Sequence, residues 1–225
     1  MGKRIDLAAA DGFRLSAYRA DPAGPPRGGL VVAQEIFGVN SHIRSVCDGF
    51  AADGYRVIAP ALFDRVERNV EIGYSAADIE RGRALKAASP IDAALRDVAA
   101  ARDALVEADK AGKVAIVGYC WGGYVAWMSA CRLAGFAAAV PYYGGGMLEA
   151  ADETPRCPVL AHFGETDHAI PVDGVRRFAA AQPAVEVHIY AAGHGFNCDQ
   201  RGSYDPAAAT LARQRTLQFL RDHLG

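Results

Sequence analysis

Four residues far apart in the chain carry the side chains needed to attack a carbonyl carbon: Glu35, Cys120, Asp167 and His194. Cys120 lies in Gly118-Tyr119-Cys120-Trp121-Gly122, a nucleophile flanked by glycines at two-residue spacing. That spacing suits a sharp strand-to-helix turn, where a Cβ at either glycine would strike the neighbouring chain. A free thiol is mostly protonated at neutral pH and needs a base or a cationic neighbour to become a nucleophile. His194 can be that neighbour, and Asp167 can fix the tautomer and orientation of its ring. The order along the chain is nucleophile, acid, histidine.

Each member also has a plainer reading. A Rossmann phosphate loop would need glycine where Cys120 stands, whereas a buried structural cysteine is common. Asp167 could cap a turn, His194 could be a loop histidine between two glycines, and Glu35 could bridge two loops. Of the other histidines, His162 and His188 fall inside expected strands, His42 and His223 on expected helix surfaces, and His168 beside Asp167. No H-E-x-x-H or C-x-x-C pattern is present, so the sequence leads us to expect no metal site.

These side chains need elements to position them. Residues 4–8 and 13–19 read as a hairpin turning at Asp11-Gly12. Short apolar runs at 30–33, 55–59, 114–117, 136–142, 158–163 and 185–190 read as buried strands. Helical segments are expected at 41–53, 75–88, from Ser89-Pro90 to about Lys110, 124–133, 172–181 and 205–223. Ser89 is the expected N-cap there, with Pro90 at the first helical position. Residues 60–74 read as irregular. After the hairpin, strands and helices alternate, which argues for α/β architecture, a mostly parallel sheet with helices on both faces. Glu35, Cys120, Asp167 and His194 then all fall just past the C-terminal ends of strands, where such sheets bind ligands. That shared placement favours one catalytic group over four separate accidents.

The 225 residues suit a single domain over 1–225, and half are hydrophobic with a net charge of −2. No basic run points to nucleic acid or an anionic membrane, and no apolar stretch approaches the length of a membrane span. Five cysteines without paired spacing, and no signal peptide after Met-Gly-Lys-Arg, lead to the expectation of a reducing cytoplasm.

Six stretches, in order, resemble the dienelactone hydrolase (carboxymethylenebutenolidase) family. They are Gln34-Glu35-Ile36-Phe37-Gly38-Val39-Asn40, Gly118-Tyr119-Cys120-Trp121-Gly122-Gly123, Tyr142-Tyr143-Gly144, Gly164-Glu165-Thr166-Asp167-His168, Ala192-Gly193-His194-Gly195-Phe196, and 215–220. The resemblance implies an α/β-hydrolase fold with an eight-stranded sheet and a Cys120–His194–Asp167 triad. It also implies that Glu35 contacts the resting cysteine and helps to generate its thiolate, and that no cofactor is needed. An oxyanion hole from the backbone N–H groups of Ile36 and Trp121 goes with such a site. A substrate carboxylate would be met by Arg83 or its neighbour Arg81. The family's second arginine, four residues after the histidine, is replaced here by Cys198, with Arg201 the nearest arginine. Tyr142 and Tyr143 are candidates to line the pocket or to pack. The implied reaction is opening of a small lactone of the dienelactone type through a thioester acyl-enzyme, by a monomer or small homo-oligomer. A broad small-ester carboxylesterase and a catalytically silent binding module are the alternatives.

Overall fold

The computed structural model describes residues 2–109 and 112–225. Its strands, in chain order, are β1 (Lys3–Ala8), β2 (Arg14–Ala20), β3 (Gly29–Ala33), β4 (Arg56–Pro60), β5 (Val114–Tyr119), β6 (Phe136–Tyr142), β7 (Val159–Gly164) and β8 (Val185–Tyr190). The helices are α1 (Ser41–Ala52), α2 (Ala76–Ala87), α3 (Ile91–Asp109), α4 (Trp121–Arg132), α5 (Val172–Ala181) and α6 (Pro206–Leu224). The eight strands form one sheet in the order β1-β2-β4-β3-β5-β6-β7-β8. β1 and β2 form the antiparallel hairpin, β2 runs antiparallel to β4, and every pairing from β4 to β8 is parallel.

Every residue of β3 and β5 is buried. Successive strand residues point to opposite faces, so both faces of the sheet centre are covered. α3 and α4 pack on each other and on β3 and β5, while α6 packs against β5, β6 and β7. Each large apolar side chain buried this way contributes about 1.5–3 kcal/mol. Among the described residues no helix is long and apolar enough to cross a membrane.

Two helix starts are capped locally: Asp205 Oδ1 accepts from the Ala208 N–H, and Ser75 forms a reciprocal capping box with Asp78. Ser89 departs from expectation. Its hydroxyl turns back to the Leu85 carbonyl at 2.8 Å, and the Pro90 carbonyl accepts the first bonds of α3. The expected end of that helix, Lys110, lies outside the described residues. The hairpin is tied down by charge. Arg65 donates to Asp11 in the hairpin turn at 2.8 and 3.0 Å, and to the fully buried Asp97 of α3 at 2.7–3.1 Å.

Candidate active site

Cys120 follows β5 directly and caps α4 with φ 54° and ψ −118°. A non-glycine residue there carries about 1–3 kcal/mol of strain and needs neighbours to enforce it. Its N–H donates to the Tyr142 carbonyl at 3.0 Å, and its carbonyl accepts from Gly123 at 2.9 Å. The flanking glycines are as tight as their spacing suggests. A Cβ on Gly118 would sit 1.8 Å from the Gly122 carbonyl oxygen, and one on Gly122 would sit 2.2 Å from that of Ala33. The second approach presses the start of α4 against the end of β3. This brings the Ile36 loop beside the first turn of α4, whose N–H groups have no partner within the helix.

The loop after β8 carries His194, and the loop after β7 carries Asp167. His194 Nε2 lies 3.2 Å from Cys120 Sγ, and Nδ1 lies 2.7 Å from Asp167 Oδ2. The other Asp167 oxygen accepts the Ala169 and Ile170 N–H groups at 2.8 and 3.1 Å, which fixes the carboxylate. Burial lowers the pKa of the His194 imidazole, but the hydrogen bonds and charges of Asp167 and Cys120 outweigh it and raise the value to about 10. The imidazolium form of His194 is therefore favoured in this position. Burial raises the thiols of the other cysteines, Cys131 to about 12 and Cys157 and Cys198 to about 11, with Cys47 higher still.

Glu35 is fully buried behind this chain. Its Oε1 accepts from Arg201 at 3.1 Å, while Oε2 has no partner among the described residues. Cys120 Sγ pairs with His194, and no hydrogen bond joins it to Glu35 among the described residues. Glu35 Oε1 is thus held in an ion pair with Arg201.

A cleft of about 680 Å³ opens above Cys120, lined by Ile36, Trp121, His194, Arg83 and Arg201. The Trp121 ring stacks on Phe63 at 5.0 Å, so only its backbone is offered to the site. The helix carrying Arg83 is held close by glycine: a Cβ on Gly82 would lie 2.3 Å from the Ile36 carbonyl oxygen. Two expectations need correction. Arg81 points away from the cleft, half exposed and ion-paired with Glu67. Tyr142 and Tyr143 do not line the cleft but lie buried beneath its floor. The Tyr143 ring packs 5.2 Å from His194, and the Tyr142 hydroxyl meets Thr216 Oγ1 at 2.6 Å. That threonine, on α6, also bonds His162 Nε2 at 3.0 Å, and His162 Nδ1 bonds the Tyr190 hydroxyl at 2.8 Å. These bonds tie α6 to the ends of β6, β7 and β8.

Sequence reasoning missed Lys86, Phe37 and Ile79, which also line the cleft. The signal was available for α2, because Ile79, Arg83 and Lys86 fall at i, i+4 and i+7 on one helix face. It also placed His42 on a helix surface. His42 is buried, because it shares the inward face of α1 with Ile43, Cys47 and Phe50 at three- and four-residue steps.

A family model described as the dienelactone hydrolase family matches residues 15–224. The chain belongs to that family. A carboxymethylenebutenolidase of Pseudomonas putida is 33% identical over 96% of this chain and 94% of its own. A crystal structure from Klebsiella pneumoniae, titled "Putative Dienelactone Hydrolase", superposes with a TM-score of 0.84 at 29% identity, covering 96% of this chain and 98% of the other. The metagenomic "Dienelactone Hydrolase-like" phosphotriesterase P91 shares the fold at 23% identity and a TM-score of 0.77, covering 100% of this chain and 99% of its own. The dienelactone hydrolase fold and these relatives make this chain a carboxylic ester hydrolase. Its cleft lies at the C-terminal strand ends, where Cys120, His194 and Asp167 converge.

Proposed function

We propose that this hydrolase opens a small, negatively charged lactone through a thioester on Cys120. The observation that carries the reading is the 3.2 and 2.7 Å chain from Sγ through His194 to Asp167, at a backbone-strained apex. The Cys120 thiolate attacks the lactone carbonyl carbon, and the oxygen takes the electron pair. The N–H groups of Trp121 and Ile36 receive that oxyanion. On collapse the ring C–O bond breaks, and His194 gives its proton to the leaving oxygen. The now neutral imidazole takes a proton from water, which attacks the thioester and releases the thiolate and the hydroxy acid.

The substrate class follows from charge. Arg83, Lys86 and Arg201 all border the cleft, and a guanidinium fork matches a carboxylate in two parallel bonds. A dienelactone, an unsaturated ring bearing a carboxylate, fits this requirement. The reading assigns Glu35 the positioning of Arg201 rather than direct activation of the sulfur. It requires no cofactor.

The test compares a carboxylate-bearing dienelactone with a neutral aryl ester, using wild type and Cys120→Ala. Wild type should turn over the lactone at the higher kcat/KM, and mass spectrometry of acid-quenched enzyme should find the acyl group on Cys120. The alanine variant should lose both. Failure of wild type to hydrolyse either compound, or undiminished turnover by Cys120→Ala, overturns the reading.

A further inference from the structure

Behind the floor of the cleft three side chains come together that the proposed reaction leaves without a shared task. Glu35, His42 and Cys198 each offer one ligand atom, and these three atoms lie within 4.8 Å of one another. All three residues are buried. They come from the β3–α1 loop, the first turn of α1 and the segment after β8, so no sequence motif could display them together.

Their hydrogen bonding leaves a specific deficit. His42 Nδ1 is engaged by Asp199 Oδ1 at 3.2 Å. A carboxylate accepts only, so Nδ1 carries the proton and Nε2 is left with a bare lone pair. Both Nε2 of His42 and Oε2 of Glu35 are buried with no partner among the described residues. Two buried acceptors without a donor cost about 1–3 kcal/mol each. The third group, Cys198 Sγ, lies against the Tyr74 hydroxyl and the Gln200 N–H. Both are donors, so they do not compete with the sulfur for a metal.

We propose that Glu35, His42 and Cys198 form a buried binding site for a divalent cation of the zinc class. One carboxylate oxygen, one imidazole nitrogen and one thiolate are borderline-soft donors that suit zinc rather than calcium or magnesium. On binding, the cation forms bonds to Oε2, Nε2 and Sγ, and the Cys198 thiol releases its proton to solvent. The Glu35, Cys198 and Asp199 anions together balance the ion and the Arg201 guanidinium paired with Glu35. The Asp199–His42 bond is the outer carboxylate that orients a metal-binding imidazole. Glu35 Oε1 stays with Arg201, which borders the cleft, so occupancy also reaches the substrate side. The site does not depend on the reaction proposed above.

Equilibrium dialysis of metal-stripped protein against zinc tests it, with cobalt(II) as a spectroscopic substitute whose thiolate bond gives near-ultraviolet charge-transfer absorption. Wild type and Cys120→Ala should each bind one equivalent, with that absorption. Cys198→Ser and His42→Gln should each lose at least about tenfold in affinity, and Cys198→Ser should lose the absorption. Thermal melts identify any variant that fails to fold, and Cys198→Ser, one atom changed, keeps the test decisive. Binding abolished by Cys120→Ala but unchanged in the other two would place the metal on the catalytic pair. Absence of binding would leave an alternative His42 tautomer bonding Glu35. Either result overturns the proposal.

Discussion

Replacing Asp167 with asparagine isolates the electrostatic role of this carboxylate, because its loop need not move. The Asn oxygen can still accept the Ala169 and Ile170 N–H groups that now hold Oδ1. Its amide then faces His194 Nδ1 as a donor, which forces the proton onto Nε2, the nitrogen facing sulfur. His194 stands at about 10 against an ordinary 6.5. At 1.36 kcal/mol per unit, the whole shift is worth about 5 kcal/mol of imidazolium stabilisation. Asparagine removes the Asp167 share and leaves that of Cys120, so we expect a loss of about 3–4 kcal/mol. That is roughly a 10²–10³-fold fall in kcat/KM, smaller than the ~10⁴ of the equivalent serine-triad change because sulfur is the better nucleophile. Steady-state kinetics on the lactone, with ¹⁵N NMR of labelled histidine, measures both quantities. The imidazole should titrate well below 10 in the variant. Because the folded value is raised, its contribution to stability is complete below about 6.5 and is lost as pH rises through about 10. Wild type should therefore lose stability across that window, and the variant less. A kcat/KM within about threefold of wild type, or an unmoved His194 titration, would refute the reasoning.

Arg65→Met strips the buried Asp97 of its cation and should cost about 3–5 kcal/mol in urea unfolding; a loss under 1 kcal/mol would mean that water reaches this carboxylate. Gly118→Ala drives a Cβ into the Gly122 carbonyl oxygen at 1.8 Å and should cost about 4 kcal/mol or more, read as loss of the cooperative thermal transition. Arg83→Gln should raise KM for a carboxylate-bearing lactone about tenfold and leave a neutral aryl ester unchanged, and salt should narrow that difference.

Much of the fold was legible because its signals are local. The buried runs of β3 and β5 and the Asp11-Gly12 turn each depend on residues near in sequence. Cys120 was legible because a tight elbow requires glycine at fixed offsets. The placement of Glu35, Asp167 and His194 at strand ends followed from the alternation of elements, but the bonds between them did not. The ion pair that Glu35 makes depends on how the segment after His194 folds back, because that segment brings Arg201 to it. Tyr142 and Tyr143 were ambiguous because strand-end aromatics pack and line pockets alike. Tyr142 packs under α6, a contact 74 residues away in the chain, and Tyr143 packs against His194 and Phe196 from the segment after β8. His42 was misplaced because a polar residue on an amphipathic helix was read by type rather than by its phase with Ile43, Cys47 and Phe50.

The hydrogen bonds that Thr216 makes to Tyr142 and His162 have a consequence for biosynthesis. The Tyr142 carbonyl helps to pin Cys120, and among the described residues the hydroxyl of that tyrosine is hydrogen-bonded by Thr216 on α6. A ribosome that has released the nucleophile, the acid and the base has still not delivered a working enzyme. Until residues 206–224 have emerged and docked, the growing polypeptide holds its sulfur without a settled floor beneath it. Hydrolysis should therefore switch on late and abruptly during translation, rather than build up as each catalytic group appears.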